Sequence, residues 1–479
     1  MDHSTEDNTH PLSFSGEESL LMHVIYESNF DVAKLLLEQG QNVNYKCKHG
    51  MNAILVAIQM QNQKCVEMLV RNNAHVNEIC TVTVDTETEI DVTPLILACQ
   101  LDCVSIVEIL INAGANIDKQ IPNGMNALMV ATDKNDTECV KLLLAHGATT
   151  NTQTRSLSPL MLTAINSNAQ CMRMLLEHGS NPNIQDKNGN TALMMAARAK
   201  DVECLQLLIN KGANLNTKDN DNFHALMIAQ CCENNNACIS LLIRAGSSLN
   251  LVNTYNETPL NYAIDSDNEV IFEHLIKFGA DVNQEIGDTC TPLWCVINSY
   301  EQIQSPESYI TALLRNGANP NLGRYPPLTL AAQSSYISCM QILLKGGASI
   351  DAVDPEFGTV LSIAGYMGST RMIRIAWNYQ AKINISPKEP DLYPRICDDE
   401  ALIMLFATGQ NWSFFESGHP DIPKYLTESR NEKSLKNYCR EAIRKYIKTG
   451  RNVDLFRQIP LLKLPQLINS YLLYGVKMH

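Results

Sequence analysis

Sixteen cysteines and eleven histidines are the side chains in this 479-residue sequence best able to hold a metal or attack a substrate. Their spacing argues for neither. No two cysteines form the CxxC pair from which structural zinc sites are built, and the histidines are scattered. Cys65, Cys139, Cys171, Cys204, Cys238 and Cys339 share one slot, two or three residues before a leucine-rich run. A cysteine recurring there acts as a small hydrophobe between helices. Met129, Met161, Met194 and Met227 recur in the same way and read as core, with an adaptable binding stripe as the alternative. His146 and His178 precede glycines, where a cation suits a helix C-terminus, and His224 stands at a helix start. The phosphate loop GxxxxGKS/T, a GxGxxG turn, HExxH and GxSxG are all missing from the sequence. Hence no catalytic residue, metal site or cofactor is expected, and the chain reads as non-enzymatic.

Hydrophobic residues make up 45% of the chain, enough for a continuous core, and the formal net charge is −14. Such a surface repels nucleic acid and anionic membrane, so neither is expected as a partner. The charge is uneven: residues 431–479 hold ten Lys and Arg against three Asp and Glu, a local +7, which leaves −21 for the remainder. Either this basic end has a partner of its own or it is a solvated helix face. The opening MDHSTEDNTH is polar and acidic, which predicts no secretory leader. No run approaches the ~18 apolar residues of a membrane span. A cytoplasmic chain with reduced thiols is expected, with the nucleus as a second compartment.

Elements that position residues come from internal repetition. A glycine following a leucine-rich run recurs at Gly40, Gly114, Gly147, Gly179, Gly212, Gly246, Gly279, Gly317 and Gly347, with Asn73 and Gln380 in the same slot. Most intervals are 32 to 34 residues. Thr93-Pro94, Ser158-Pro159, Thr258-Pro259 and Thr291-Pro292 carry a capping hydroxyl and a proline suited to a first helical turn. Asn52, Asn126 and Thr191 can cap without the proline. A second helix follows, with an apolar stripe such as Val140, Leu142, Leu143 and Leu144, and the glycine ends it in a left-handed conformation. This period and pattern resemble the ankyrin repeat. The resemblance implies a stack of helix pairs that bury their faces only against neighbours. Methionine stands where the family usually has the histidine of TPLH, which predicts a weaker hydrogen-bond network between repeats.

Two intervals are long. The one from Asn73 to Gly114 holds eight extra residues around EICTVTVDTETEIDV, and the one from Gly279 to Gly317 five around SYEQIQSPESY. Insertions in such stacks map to exposed loops, often on the binding face. Val82 and Val84 alternate as in an extended strand, flanked by Asp85, Glu87, Glu89 and Asp91. An exposed extended segment can add a strand from a partner, and its acids would select a basic one. Val82, Val84, Asp85, Glu87 and Glu89 are therefore candidate substrate contacts, with a passive surface loop as the alternative.

Periodicity stops after Ile385. SPKEPDLYP reads as a linker, and DDEALIMLFATGQNW as a helix capping the stack. In SLKNYCREAIRKYIKTG, residues Leu435, Tyr438, Cys439, Ala442, Ile443, Tyr446 and Ile447 form one apolar helical stripe opposite Lys436, Arg440, Glu441, Arg444, Lys445 and Lys448. This segment resembles the elongin-binding box of the SOCS box, with Ser434, Leu435, Cys439 and Ile443 at its pattern positions and Tyr438 and Ala442 beside them. The stretch from Ile459 to Leu472 is similar to the cullin box, through Leu462, Leu464, Pro465, Ile468, Tyr471 and Leu472, with Lys463 in place of the family's first proline. A stack followed by such a box resembles the ankyrin repeat and SOCS box family.

The expected architecture is all-α: residues 1–14 a disordered N-terminus, 15–385 about eleven repeats, 386–430 linker and capping helix, and 431–475 a three-helix SOCS box. What the resemblance implies is a substrate adaptor. Elongin C with elongin B would bind the first box, a cullin-RING scaffold (cullin five) the second, and the repeats the protein to be ubiquitinated. The other reading is an ankyrin scaffold whose last helices merely cap its own stack.

Overall fold

A computed structural model describes residues 19–381, apart from 49, 84–88, 155–156, 288–289 and 368. The N-terminal stretch 1–14, the linker and capping helix at 386–430 and the box at 431–475 lie outside the described residues. The chain divides into two units, the first ending at Ser248 and the second beginning at Leu249.

The first unit holds seven helix pairs among its described residues. They are α1 (Leu20–Tyr26) with α2 (Phe30–Glu38), α3 (Ala53–Gln59) with α4 (Gln63–Arg71), α5 (Pro94–Gln100) with α6 (Val104–Asn112), and α7 (Ala127–Asp133) with α8 (Thr137–Ala145). α9 (Pro159–Ile165) with α10 (Ala169–Glu177), α11 (Ala192–Ala199) with α12 (Val202–Asn210), and α13 (Ala225–Gln230) with α14 (Asn236–Arg244) complete it. The second unit holds four: α15 (Pro259–Asp265) with α16 (Glu269–Lys277), α17 (Pro292–Asn298) with α18 (Pro306–Arg315), α19 (Pro327–Gln333) with α20 (Ile337–Lys345), and α21 (Val360–Met367) with α22 (Thr370–Asn378). Within each unit every helix packs on its pair-mate, and first helices pack on first helices of adjacent pairs.

Helices of six to ten residues are too short to stand alone in water, so caps and stacking must hold them. Thr93, Ser158, Thr191, Thr258 and Thr291 accept a hydrogen bond from the backbone N–H three residues on, as do Asn52 and Asn126. All eleven register residues, Asn73 and Gln380 included, have a positive φ between 57° and 93°. The turn geometry is thus kept even where glycine is replaced.

Stacking buries what the repeat pattern places inward. Met129, Met161, Met194 and Met227 are at most 3% exposed, and the six slot cysteines are fully buried. The cysteine slot is the third position of the second helix. At Cys65, Cys139, Cys171 and Cys204 the backbone N–H is capped by Asn62, Asp136, Asn168 and Asp201. Burial comes first in raising the Cys204, Cys238 and Cys339 thiols above their ordinary range, to about 11 for Cys238 and about 12 for Cys339. These side chains are packing material. No helix of the described residues is long and apolar enough to cross a membrane.

The helical frame carries two small antiparallel sheets. β1 (Cys80–Thr83) pairs with β2 (Glu89–Val92), and β3 (Val353–Asp354) with β4 (Gly358–Thr359). The first sheet is the longer insertion, whose run of threonine, valine and isoleucine favours a pleated strand.

Candidate interaction surface

The hairpin is built from its base upward. Lys46 Nζ lies 2.8 Å from Glu78 Oε1, and His75 Nδ1 lies 3.7 Å from Glu78 Oε2. The bond to Glu78 raises the Lys46 ammonium above its ordinary value, against the opposing effect of burial. Asn52, which caps α3, also donates from Nδ2 to Cys80 Sγ at 3.7 Å. Burial pushes the Cys80 thiol up, and Lys46 opposes it. The strands then register Cys80 opposite Val92, Thr81 opposite Asp91, Val82 opposite Ile90, and Thr83 opposite Glu89.

Strand alternation assigns the two faces. Cys80, Val82 and Val92 are buried against the body, and Ile90 on that face is 38% exposed. Thr81 and Asp91 share the other face, where Thr81 Oγ1 donates to Asp91 Oδ1 at 2.6 Å. Val82 is therefore a core residue and is removed from the surface contacts expected of it. The expectation of free backbone is also narrowed. One edge of β1 is taken by β2. The backbone at Gly50 also approaches β1 closely: a side chain there, where φ is +76°, would overlap the Thr81 carbonyl oxygen. Glu89 opens β2, while Val84, Asp85 and Glu87 lie outside the described residues. So do the elongin-box residues Ser434, Leu435, Tyr438, Cys439, Ala442 and Ile443, and the cullin-box residues from Ile459 to Leu472.

The shorter insertion folds onto its own unit. Ile303 is buried at 5% exposure. Ser299 Oγ donates to Asp265 Oδ1 at 3.0 Å, and the Gln304 N–H donates to Asp267 Oδ2 at 3.1 Å.

A set of residues that the repeat reading passed over fixes the turns beside these surfaces. The residue four places after each register position is Asn or Asp in every described repeat. In the first unit Asn44, Asn77, Asp118, Asn151, Asn183 and Asn216 each accept, through Oδ1, the backbone N–H of the next repeat's turn. In the second unit Asn250, Asn283 and Asn321 do the same for Asp281, Asn319 and Ser349. Most of the asparagines also donate Nδ2 to a register carbonyl, as Asn283 does to Gly317 O at 2.9 Å and Asn321 to Gly347 O at 3.0 Å. This ladder is a hydrogen-bond network that joins each repeat's turn to the next. Its signal in the sequence is the fixed offset of four.

His224 takes the cap position of α13. Its Nδ1 accepts from the Met227 N–H, so Nε2 carries the proton it donates to Ser248 O at 2.9 Å. Burial lowers its pKa. Tyr255, 69% exposed, stands on a turn held by Asn253 Oδ1.

Stacked helix pairs with exposed turns define a repeat protein whose surface serves protein–protein interaction. A profile of three ankyrin-repeat copies matches residues 3–80, 78–154, 148–219 and 218–286, and a single-repeat profile matches 324–355. The chain belongs to the ankyrin repeat family. Human neurogenic locus notch homolog protein 1 is 31% identical over 147 residues, 30% of this chain and 5% of that protein. The mouse B-cell lymphoma 3 protein homolog is 29% identical over 127 residues, 26% of this chain and 28% of that one. The chain thus spans a small part of the length of these relatives. Among solved structures, the ankyrin repeat domain of human ASB11 aligns with a TM-score of 0.41 and 26% identity, over 48% of this chain and 99% of that one. That of Bcl-3 aligns with 0.41 and 22%, over 47% and 98%.

Proposed function

We propose that this protein is the substrate-recognition subunit of an elongin–cullin–RING ubiquitin ligase. The observation that carries the proposal is the order of parts: an ankyrin stack followed by SLKNYCREAI, in which Leu435 and Cys439 stand four residues apart at helical spacing. Such a pair enters one groove of a partner, and elongin C, bound to elongin B, is the partner of the box it resembles. Leu464, Pro465 and Ile468 then serve the cullin. The chain is non-catalytic. It supplies proximity, while the conjugating enzyme recruited by the scaffold supplies the chemistry.

Substrate meets the outer face of the first-unit hairpin in this proposal. Thr81 and Asp91 support it, and the sequence places Asp85, Glu87 and Glu89 at or beside the connection between the strands. Acids of this density favour a basic segment. Val82, a buried residue, anchors the strand that carries Thr81.

The test is co-purification of the full chain with elongin B and C. Truncating a buried leucine costs ~2–5 kcal/mol, so Leu435→Ala with Cys439→Ala abolishes elongin C capture and leaves helical circular dichroism and the melting midpoint unchanged. Capture that survives both substitutions would return the chain to the class of ankyrin scaffolds.

A further inference from the structure

In the second unit, the turns between first and second helices and the helix ends beside them bring five carboxylates onto one face: Asp265 at the end of α15, Asp267 in the turn, Glu269 at the start of α16, Glu301 in the turn before α18, and Glu307 in the first turn of α18. Each is held by neutral donors. Besides the bonds from Ser299 and Gln304, Ser308 Oγ donates to Glu269 Oε1 at 3.2 Å, Tyr300 OH to Glu307 Oε1 at 3.0 Å, and Tyr336 OH to Glu301 Oε1 at 3.5 Å. Among the described residues none of the five forms an ion pair. In the first unit, by contrast, Glu67, Glu78, Glu138 and Glu203 all meet an Arg or Lys. Like charges gathered without a counter-charge raise one another's energy, so an arrangement that holds them in place favours a cation from outside.

Two further observations indicate what kind of cation. Tyr300 and Tyr336 stack with centroids 3.9 Å apart and planes at 23°. Their hydroxyls reach Glu307 and Glu301, so the face presents carboxylate, ring, ring, carboxylate in sequence. Tyr309 is 1% exposed. Its hydroxyl lies near Asp267 and Glu269, and it makes no hydrogen bond of good geometry. The described residues gather no set of three metal ligands, so the carboxylates do not converge as an ion cage would. A planar guanidinium fits a string of rings and carboxylates, because it stacks on an aromatic face while its N–H groups pair with carboxylate oxygens. An ammonium does only the second well.

We propose that this face, from Asp265 to Tyr336, docks an arginine-rich segment of a partner protein. The surface shares no residue with the first-unit hairpin and works whether or not the chain recruits a ligase, so elongin capture tests that reading independently.

The experiment uses the full chain and a fluorescein-labelled nona-arginine peptide, with nona-lysine as the comparison, followed by anisotropy. Glu→Gln at 269, 301 and 307 removes charge while keeping a carbonyl acceptor for Ser308, Tyr300 and Tyr336. It should weaken nona-arginine binding roughly tenfold or more, from three surface pairings. The same change at exposed Glu38, Glu108 and Glu177 in the first unit, equal in net charge, should weaken it less than about twofold by the same reasoning. Glu301→Gln alone, at an exposed position, gives a smaller loss in the same direction should the triple variant fold poorly. Tyr300→Leu should erase a preference for arginine over lysine. The proposal is overturned if the two triple variants behave alike, if the unaltered chain binds both peptides equally, or if calcium displaces the peptide. It is also overturned in favour of the chain's own basic end if Gln at Lys436, Arg440, Arg444 and Lys445 strengthens peptide binding.

Discussion

Replacing Asn283 tests whether the asparagine ladder sets the geometry between repeats. Its Oδ1 accepts the Asn319 N–H at 2.6 Å, and its Nδ2 donates to Gly317 O at 2.9 Å. Both partners belong to the following repeat's register turn. Each hydrogen bond is worth about 0.5–1.5 kcal/mol net, and the site is half-buried, so Asn283→Ala should cost ~1–2 kcal/mol locally. Asn283→Asp keeps the acceptor and loses the donor, and should cost roughly half of that. Nature offers the comparison in Asp118, which holds Thr149 through both its N–H and its hydroxyl. A global melting curve averages over many repeats, so the informative measurement is hydrogen exchange at the Asn319 amide. A loss of ~1.4 kcal/mol corresponds to tenfold faster exchange, with the order Ala, then Asp, then the unaltered chain. Protection at Asn319 that is the same in all three would refute the ladder as the device that fixes one repeat on the next.

Three further outcomes follow from the geometry. Gly50→Val forces a left-handed φ on a branched residue and drives its side chain into the Thr81 carbonyl, so strand amides of Thr81 and Val82 should lose protection while α9 and α10 keep theirs. His224 is held neutral by burial. As pH falls below the ordinary histidine value of about 6.5, the unfolded chain takes up a proton that the folded chain resists, and stability declines until the lowered folded value is passed. His224→Asn, a cap type already used at Asn52 and Asn126, should remove that acid sensitivity in denaturant titrations from pH 7 downward. Alkylation in native buffer should label exposed Cys231 and spare Cys204 and Cys339, which react only after unfolding. Labelling of Cys339 at the rate of Cys231 would contradict the packing role given to that slot.

How much of this was legible in sequence depends on the range of the interaction. The register residues, the Thr-Pro starts and the buried methionines were legible because each answers to its own helix or turn. Even Asn73 and Gln380 could be placed by interval alone. The pairing of the insertion was half legible: alternation marked Val82 as a strand residue, but alternation does not say which face turns inward. That choice is made by the Gly50 turn and Asn52 of the preceding repeat, far away in sequence. The asparagine ladder went unseen for the same reason. An asparagine in a turn is ordinary until the amide of the next repeat is seen to arrive at its oxygen. The face formed by Asp265, Glu301 and Tyr336 likewise gathers residues from three consecutive helix pairs.

The ladder also has a direction. In every described rung the side chain belongs to the earlier repeat, and the backbone groups it holds, an N–H and in most rungs also a register carbonyl, belong to the later one. Each repeat, once formed, presents the oxygen that its successor's turn must find, and needs nothing from that successor to present it. A chain stapled in this sense can lengthen one repeat at a time in the order in which a ribosome releases it, with each completed unit serving as the template for the next.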